Sequence, residues 1–443
     1  MMQDPYPIAP FTRSAAAKVS VPGSKSMTNR ALILAALSNG KTRLENCLFS
    51  RDTEIMIQAL IELGFEVEEN QSDLAIEING TGGLIPSDSA HIDIGNSGTS
   101  ARFLTAMLAI RDGGDFTLDG DEAMRRRPIS KLADTLSELG CHIETSNGYF
   151  PIRIRPHSLS GTTATVDATE SSQFVSALLM AAPLAKNDLE IILSNPSIRR
   201  GYIDMTLEMM GHFGISAEHR TSTETGYRIA KSAYAAPTRT YRIEADASAA
   251  SYYIGLPLVT GGVVEIEGLQ SDSLQGDIAF AQIATRAGAL LEWAENSLVV
   301  RFDRSASRPA SLSANFYAFS DTFMTAAAIA PLAKGATRID GIGHTRHQEC
   351  DRIAAMVHGL TLAGQATRDE VASLEIAPAP LQPATIETYE DHRIAMSFAI
   401  LGCANPKGDG LPWLRISDPL CCRKTFPDFF ETLDSAREQS LNA

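Results

Sequence analysis

The chain of 443 residues has few features of a membrane protein or a secreted protein. Its most apolar stretch, Phe174 to Ala185, contains Ser176 and Pro183 and is shorter than the roughly 18 residues that a membrane span needs. The first residues, MMQDPYPIAPFTR, lack a basic head followed by an apolar block. We therefore expect no contact with a membrane, no secretory signal and a cytoplasmic location.

Cysteine is scarce, and none of the six cysteines belongs to a C-x-x-C pair. Such pairs are typical of zinc sites and redox centres, so neither is predicted, and we expect no metal and no organic cofactor. In a chain without a secretory signal the cysteines are expected to be reduced thiols. They are Cys47, Cys141, Cys350, Cys403, Cys421 and Cys422.

Basic residues are outnumbered: 38 lysines and arginines stand against 53 aspartates and glutamates, which gives a formal net charge of −15. An acidic surface repels phosphate backbones, and this argues against nucleic acid as the main partner. An anionic small-molecule substrate is not excluded, because a pocket can be basic inside an acidic protein. The apolar fraction of 44% is sufficient for a core, and the length is typical of two or three domains.

An amphipathic segment that reaches a glycine and then a strand-like run occurs five times. The glycines are 74 to 76 residues apart, and each is predicted to follow the last turn of a helix with a positive φ. Accidental periodicity in an ordinary α/β chain is the alternative. The five glycines are Gly64, Gly140, Gly214, Gly288 and Gly364.

A second element recurs in phase with the first: a polar cluster precedes an Ala-rich helix that is apolar on every side and must therefore be buried. Together the two elements predict an α/β fold with three repeats in each of two domains. We expect the chain to cross between the domains near Val21–Gly23 and Tyr241–Asp246, so that one domain comprises 1–22 and 243–443 and the other 23–242. The six apolar helices are predicted to begin near Ser26, Ser97, Ser172, Ser248, Asp321 and His392.

The polar clusters before the apolar helices are suited to binding anions. Helix N-termini carry unpaired N–H groups and about half a positive charge, which attract phosphates and carboxylates. If the helices run parallel, their starts form one cleft for small polyanions between the domains; separate sites on unrelated faces are the alternative. The first cluster, PGSKSMTNR, differs from a P-loop because Ser24 separates Gly23 from Lys25.

Seven motifs in series resemble the family of 5-enolpyruvylshikimate-3-phosphate synthases (3-phosphoshikimate 1-carboxyvinyltransferases). They run in the family's order from about Pro22 to Phe430. The resemblance implies two inside-out α/β barrel domains, each of three βαβαββ-type repeats with pseudo-threefold symmetry, and an active site in the cleft between them. The motifs are PGSKSMTNRALILAAL, GNSGTSARFL, RRRPISKLADTL, SSQFVSALLMAAPL, ECDRIAAM, YEDHRIAM and DPLCCRKTFPDFF.

By resemblance, the chain transfers the enolpyruvyl group of phosphoenolpyruvate to the 5-hydroxyl of shikimate 3-phosphate and releases phosphate, a step toward chorismate and the aromatic amino acids. This chemistry needs a base near the hydroxyl, an acid that protonates the methylene carbon, and cations for two polyanions. The resemblance implies Asp321 as the base and Glu349 as the acid, with Lys25 as the competing acid. Six implied cations against these two carboxylates predict a basic pocket. We expect a monomer.

The resemblance also implies two sets of substrate-binding residues. Arg30 would hold the carboxylate of shikimate 3-phosphate, because a planar guanidinium matches a carboxylate in a bidentate way. Shikimate 3-phosphate would be bound by Lys25, Ser26, Arg30, Ser171, Ser172, Gln173, Arg199, Tyr202, Asp321, His344 and Gln348. Phosphoenolpyruvate would be bound by Lys25, Gly98, Arg127, Gln173, Arg352, Arg393 and Lys424.

Four positions depart from the family pattern. Arg199 stands where a serine commonly binds the shikimate phosphate, His344 where Asn is often found, and Gln348 where Lys is common. We hypothesise that Arg199 or Arg200 supplies the cation that Gln348 lacks. Phe103 stands where proline is usual, which bears on inhibition by phosphoenolpyruvate mimics such as glyphosate, without a predicted sign.

Alternatives stay open at this point. The sister UDP-N-acetylglucosamine enolpyruvyl transferases share the fold but usually carry a reactive cysteine, which the stretch from Arg111 to Arg127 lacks. An enolpyruvyl transferase for another phosphorylated cyclitol and a non-catalytic binding protein are further alternatives. For single residues, Asp321 could instead be a helix N-cap, and Glu349 could form only a surface ion pair with Arg352.

Overall fold

The computed structural model describes residues 2–169, 171–195, 200–220, 225–238 and 240–443. Contacts between residues divide the chain into two compact units. Unit 1 comprises Met1–Pro22 and Glu244–Ala443, and unit 2 comprises Gly23–Ile243. The chain thus leaves unit 1 early, completes unit 2, and returns to unit 1.

Helices occur throughout both units. They are α1 (Lys25–Leu37), α2 (Arg51–Glu62), α3 (Gly98–Ala109), α4 (Ser130–Glu138), α5 (Gln173–Ala181), α6 (Gly201–His212), α7 (Ala247–Thr260), α8 (Phe280–Arg286), α9 (Phe323–Ile329), α10 (Arg352–Leu362), α11 (His392–Gly402) and α12 (Phe429–Asn442). Short 3₁₀ segments occupy Met124–Arg126, Ala182–Leu184, Gly276–Ala279, Tyr317–Thr322, Ala330–Leu332, Gly343–His347 and Pro419–Lys424.

Strands alternate with these helices. They are β1 (Tyr6–Pro7), β2 (Ala15–Ser20), β3 (Asn39–Glu45), β4 (Glu66–Asn70), β5 (Ala75–Thr81), β6 (Ser89–Asp93), β7 (Asp115–Asp119), β8 (His142–Ser146), β9 (Tyr149–Arg155), β10 (Thr163–Val166), β11 (Leu189–Leu193), β12 (Ala217–Arg220), β13 (Gly226–Ile229), β14 (Tyr241–Arg242), β15 (Gly262–Glu267), β16 (Leu290–Trp293), β17 (Ser297–Phe302), β18 (Ser313–Asn315), β19 (Thr337–Asp340), β20 (Ala366–Asp369), β21 (Ser373–Ala377), β22 (Ala384–Ile386) and β23 (Leu414–Ile416).

The strands form small separate sheets with a repeated design. Unit 2 contains β14-β3-β5-β4, β6-β7-β9-β8 and β10-β11-β13-β12, and unit 1 contains β2-β15-β17-β16, β18-β19-β21-β20 and β1-β23-β22. Each sheet holds one parallel pair, such as β6 with β7, and its remaining pairs are antiparallel. A buried helix joins the parallel strands in most repeats, as α3 joins β6 to β7, because a parallel pair needs a crossover connection.

The two chain crossings modify this design. β2 precedes α1 in the chain but pairs with β15 of unit 1, and β14 precedes α7 but pairs with β3 of unit 2. Unit 1 therefore completes one sheet with a strand that precedes unit 2 in the chain, and unit 2 completes one sheet with its own last strand. The predicted α/β class with its repeats is confirmed, although no sheet formed by the described residues closes on itself into a barrel.

The apolar helices form the interior of each unit, as their composition predicts. Every residue of α3, α9 and α11 is buried, as are Phe174–Ala181 of α5 and Met27–Leu37 of α1. Within unit 2, α3 packs against α1 and α5, and within unit 1, α7, α9 and α11 pack against one another. Since these helices have no exposed face, polar groups at their first turns have to find partners inside the unit.

The repeated glycines end the amphipathic helices. In α2, for example, the last helical residue is Glu62, Leu63 is the C-cap, and Gly64 follows with a φ of 87°. The corresponding glycines after α4, α6, α8 and α10 have φ values of 109°, 84°, 107° and 89°. The predicted positive φ at this position is confirmed at all five, because only glycine adopts it without strain. No helix in the described residues is long and apolar enough to cross a membrane.

Candidate active site

Arg352, the first residue of α10, is the centre of a buried charge cluster in unit 1, and its side chain is only 2% exposed. Its Nη1 lies 3.1 Å from Asp321 Oδ1, its Nη2 lies 2.8 Å from Glu349 Oε2, and its Nε lies 2.7 Å from Asp391 Oδ2. Burial alone would lower the pKa of this guanidinium, but the carboxylates of Asp391, Glu349 and Asp321 outweigh burial and raise it. Arg352 therefore stays positively charged and pairs with three carboxylates at once.

Two further cations complete the cluster. Arg393 Nη2 donates to Asp321 Oδ2 at 2.9 Å, and Lys424 Nζ lies 3.2 Å from Glu349 Oε1. Each carboxylate that the family resemblance implies for catalysis is thus held by two cations predicted to bind phosphoenolpyruvate. Asp321 is not the N-cap of α9, since Thr322 occupies that position, and Glu349 makes more than a surface pair with Arg352.

Asp391 is a member of the cluster that the sequence interpretation missed. Its side chain is fully buried, N-caps α11 by accepting from the Arg393 backbone N–H at 2.9 Å, and also accepts from the Cys350 thiol at 3.6 Å. Tyr389 and Glu390 precede it with φ values of 55° and 58°, in the left-handed region. The available signal was an Asp directly before a predicted buried helix, which also fits an ordinary cap.

Gln348 and His344, two of the departures from the family pattern, have definite partners. The Gln348 side-chain oxygen accepts from Arg352 Nη1, so a lysine here would place a like charge against Arg352. His344 Nε2 lies 2.8 Å from the Ser320 hydroxyl, and its ring packs edge-on against Tyr317 with centroids 5.8 Å apart. His344 is therefore linked to the residue that directly precedes Asp321.

In unit 2 most of the predicted residues lie at or next to the first turns of helices. Lys25 begins α1, and its Nζ lies 3.2 Å from Asp52 Oδ2, whose side chain is 3% exposed. The hydroxyls of Ser97 and Ser100, at the start of α3, both lie 3.5 Å from the Asp52 carbonyl oxygen. Asp52 is the second residue that sequence interpretation missed, and it connects the starts of α1, α2 and α3.

The starts of α3 and α5 also lie together. Gln173 Nε2 lies 3.4 Å from the Thr99 hydroxyl, and the Gln173 backbone N–H donates to the Ser171 hydroxyl at 3.2 Å. Ser172 is the buried N-cap residue of α5. Three predicted anion-binding residues of one motif thus stand at one helix start, next to α3.

Gly98 is in contact with the guanidinium of Arg127. A Cβ built on Gly98 would lie 2.6 Å from Arg127 Nη2 and 2.7 Å from its Nη1. Any side chain at position 98 would therefore displace the arginine. Arg102, one turn further along α3, donates to the carbonyl oxygens of Gly98 and Pro128 at 3.2 and 3.0 Å.

Arg30 is buried in unit 2 and is 2% exposed, and its hydrogen bonds to the described residues all go to neutral oxygens. Burial lowers its pKa to about 10. Its acceptors are Thr206 Oγ1 at 2.7 Å, Ser26 O at 2.9 Å, Ser176 Oγ at 3.2 Å and Tyr202 O at 3.3 Å. These bonds use four of its five N–H groups, so a substrate carboxylate would meet the fifth or displace one of these partners.

Some predictions have no counterpart in these clusters. Arg199 lies outside the described residues, while Arg200 is exposed at the start of α6.

Burial raises the pKa of the Cys47 and Cys141 thiols to about 12 and also raises those of Cys350 and Cys422. Such thiols stay protonated at neutral pH and are poor nucleophiles.

The ratio of cations to carboxylates at the site differs from the sequence prediction of six cations against two carboxylates. In unit 1, Arg352, Arg393 and Lys424 face three carboxylates rather than two, because Asp391 is present. In unit 2, Lys25 is paired with Asp52, and Arg30 has neutral partners. The described residues contain no group of three or more His, Cys, Asp or Glu side chains that could hold a metal ion.

Comparison with known proteins bears on this arrangement. The family model described as EPSP synthase (3-phosphoshikimate 1-carboxyvinyltransferase) matches residues 12–433. The 3-phosphoshikimate 1-carboxyvinyltransferase of Opitutus terrae is 45% identical over 99% of this chain and 99% of its own, and the chloroplastic enzyme of Petunia hybrida is 39% identical over 94% and 82%.

Solved structures show the same fold at lower identity. An EPSP synthase from Acinetobacter baumannii superposes with a TM-score of 0.78 at 23% identity, and each chain covers 97% of the other. The enolpyruvyl transferase NikO from Streptomyces tendae gives 0.75 at 16% identity, with 97% of this chain and 96% of that one covered. The resemblance seen in the sequence motifs is confirmed over nearly the whole chain, which belongs to the EPSP synthase (3-phosphoshikimate 1-carboxyvinyltransferase) family.

Proposed function

We propose that this chain transfers the enolpyruvyl group of phosphoenolpyruvate to the 5-hydroxyl of shikimate 3-phosphate, giving 5-enolpyruvylshikimate 3-phosphate and inorganic phosphate. The match to a 3-phosphoshikimate 1-carboxyvinyltransferase, 45% identical over 99% of both chains, carries the proposal. The acceptor assignment competes with another phosphorylated cyclitol and with UDP-N-acetylglucosamine, and neither is favoured by the comparisons.

The chemistry assigns a proton transfer to each catalytic carboxylate. Asp321 takes the proton of the 5-hydroxyl, and Glu349, or alternatively Lys25, protonates the methylene carbon of phosphoenolpyruvate. The hydroxyl oxygen then bonds to C2, which gives a tetrahedral adduct. Loss of a proton from the new methyl group and departure of phosphate with its bonding electron pair then re-form the C=C bond, which gives the vinyl ether of the product. Closure around the anions that expels water would strengthen each of these electrostatic contacts.

The ion pairs of unit 1 suggest how the base is controlled. Arg352 and Arg393 both hold Asp321, and Arg352 and Lys424 both hold Glu349. These cations are the predicted ligands of phosphoenolpyruvate, so the substrate anion competes with the two carboxylates for them. Binding of phosphoenolpyruvate would weaken the hold of the cations on Asp321 and Glu349, making Asp321 a stronger base and Glu349 a weaker acid. Lys25, which pairs with Asp52 in unit 2, is then the alternative proton donor.

The reaction is tested by supplying both substrates and following inorganic phosphate together with the new vinyl protons by NMR. Parallel reactions with UDP-N-acetylglucosamine as acceptor test the rival, and product only in these would overturn the proposal. Asp321→Asn should lower kcat by about 10²- to 10⁴-fold while both substrates still bind. Asp340→Asn, which changes a surface carboxylate 37% exposed, is the control, and full activity of Asp321→Asn would contradict the role of Asp321 as base.

Further parts of the proposal rest on the sequence. Arg199 is proposed to supply positive charge to the shikimate phosphate, and an unchanged KM for shikimate 3-phosphate in Arg199→Ala would contradict this.

Action as a monomer in the cytoplasm is likewise proposed, and analytical ultracentrifugation tests the oligomeric state. Competition between glyphosate and phosphoenolpyruvate tests whether mimics of the latter inhibit.

A further inference from the structure

The ring of Phe103 lies against the guanidinium of Arg30. Arg30 Cζ is 5.0 Å from the centroid of the Phe103 ring and 5.8 Å from that of Tyr202. Both distances are within the range of a cation–π contact. Phe103 is 1% exposed on α3, and Arg30 is 2% exposed on α1, so water does not screen this contact.

Arg30 connects the elements that carry predicted shikimate residues. Its Nη1 donates to the carbonyl oxygen of Ser26 in the first turn of α1, and its Nη2 donates to that of Tyr202 in the first turn of α6. Its Nε donates to Thr206, one turn further along α6. The orientation of one guanidinium therefore fixes two helix starts relative to each other within unit 2.

Among the described residues the hydrogen-bond acceptors of the Arg30 guanidinium are all neutral, so no carboxylate there holds its plane in place. Its hydrogen-bond acceptors leave the faces of the plane uncovered, and an aromatic ring is the group that can cover such a face and favour the cation. Leucine or proline at position 103 would fill space without offering a π face.

We propose that Phe103 is a positioning residue that acts through Arg30 to hold the first turns of α1 and α6 in the geometry that binds shikimate 3-phosphate. The inference rests on the proposed function for its substrate, but the contact itself does not. Loss of the ring should weaken shikimate 3-phosphate binding selectively, because the hydrogen bonds of Arg30 go to Ser26, Ser176, Tyr202 and Thr206 and to none of the predicted phosphoenolpyruvate ligands.

The kinetic experiment compares Phe103→Leu, Phe103→Tyr and the wild type. Phe103→Leu should raise the KM for shikimate 3-phosphate about 3- to 30-fold, the range of a buried cation–π contact, while kcat and the KM for phosphoenolpyruvate change less than about two-fold. Phe103→Tyr keeps the ring and should restore the wild-type KM. Equal changes in both KM values, or no change in either, would overturn the proposal.

Phe116→Leu is the matched control. Phe116 is also fully buried in unit 2 and carries its own arginine contact, with Arg111 Cζ 6.0 Å from the ring centroid, but Arg111 follows the C-terminal end of α3. The same substitution should therefore lower the melting temperature without changing either KM. A raised KM for shikimate 3-phosphate in Phe116→Leu would show that loss of any buried ring has this effect and would refute the specific role of Phe103.

A second measurement needs no substrate. Melting temperatures of the wild type, Phe103→Leu, Arg30→Met and the double variant should show a coupled effect, with the double variant losing less than both single losses combined. If Arg30→Met fails to fold, Arg30→Lys replaces it in the cycle. Additive losses of melting temperature would overturn the contact between Phe103 and Arg30. A wild type that turns over neither substrate would instead overturn the proposed function, and the melting-temperature result would still hold.

Discussion

Arg352 and Asp391 form an ion pair from which water is excluded: Nε and Oδ2 lie 2.7 Å apart, and the two side chains are 2% and 0% exposed. The pair joins the first turn of α10 to the N-cap of α11. Because Asp391 also caps α11, a single carboxylate sets the position of Arg352 and of the helix that carries Arg393.

Asp391→Asn should destabilise the protein while leaving α11 capped, since Asn is as good an N-cap as Asp. Breaking a buried ion pair costs about 3 kcal/mol, although Asp321 and Glu349 keep Arg352 partly compensated. We expect a loss of about 2–3 kcal/mol in the free energy of unfolding measured in urea, and a raised KM for phosphoenolpyruvate. The control is Asp351→Asn at the N-cap of α10, whose side chain is 39% exposed. Equal stability of the two variants would contradict the role of the pair.

Gly98→Ala should raise the KM for phosphoenolpyruvate. The new Cβ would meet the Arg127 guanidinium at 2.6 Å, so the arginine has to move and its contact with a bound anion is weakened. A hydrogen bond to a charged group is worth about 1.5–3 kcal/mol, which corresponds to a rise of about 10- to 100-fold. Gly211→Ala in α6, where a Cβ meets nothing within 4 Å, should leave both KM values unchanged and stabilise the helix. Similar KM values for both variants would count against the contact.

Glu390 tests whether the left-handed turn before Asp391 is needed. Glu390→Val places a β-branched residue at a φ of 58° and should destabilise the protein by about 1–3 kcal/mol relative to Glu390→Gly, which adopts this φ freely. Both variants remove the same charge, so the comparison isolates the backbone. At Glu292 in the edge strand β16 the order should reverse, with Val more stable than Gly. Melting temperatures of the four variants decide the matter, and the same order at both positions would contradict the explanation.

Asp167 makes stability depend on pH in acid. Its hydrogen bond from Lys131 at 2.7 Å, followed by those from Thr169, lowers its pKa to about 2. Because the folded pKa lies below the unfolded value of 3.8, the contribution is present above pH 3.8 and is lost as the pH falls toward 2. The side chain is 42% exposed, so we expect less than about 1 kcal/mol.

The measurement for Asp167 is urea denaturation of Asp167→Asn and of the wild type between pH 6 and pH 3, in steps of about half a pH unit. The difference in unfolding free energy should be constant near neutrality and shrink below pH 3.8. Thr169→Ala removes one hydrogen bond and should show a smaller difference with the same pH trend. A difference that grows in acid would contradict the assigned sign.

The features that sequence could predict are local ones. The positive φ at Gly64 and Gly140 follows from a helix pattern that ends beside a glycine, and the burial of α3 follows from a helix without a polar face. Each depends on residues within one or two helical turns, and periodicity reports these directly.

The partners of buried charges could not be predicted in this way. Arg352 pairs with Asp391, 39 residues away, and Arg30 donates to Thr206, 176 residues away. No spacing rule connects such residues, because the packing of separate helices brings them together. The family resemblance named the cations and catalytic carboxylates, but it did not indicate Asp52 or Asp391, whose sequence signal is that of ordinary residues at helix starts.

The pairing of β2 with β15 has a consequence for synthesis on the ribosome. β2 ends at Ser20, but its parallel partner begins at Gly262, so about 240 residues must be translated before the first sheet of unit 1 can assemble. At roughly 5–20 residues per second this takes about 12 to 50 seconds, during which unit 2, a continuous segment, can already fold. During this interval the backbone N–H and C=O groups of β2 lack their partner strand. The nascent strand is then accessible to chaperones and proteases.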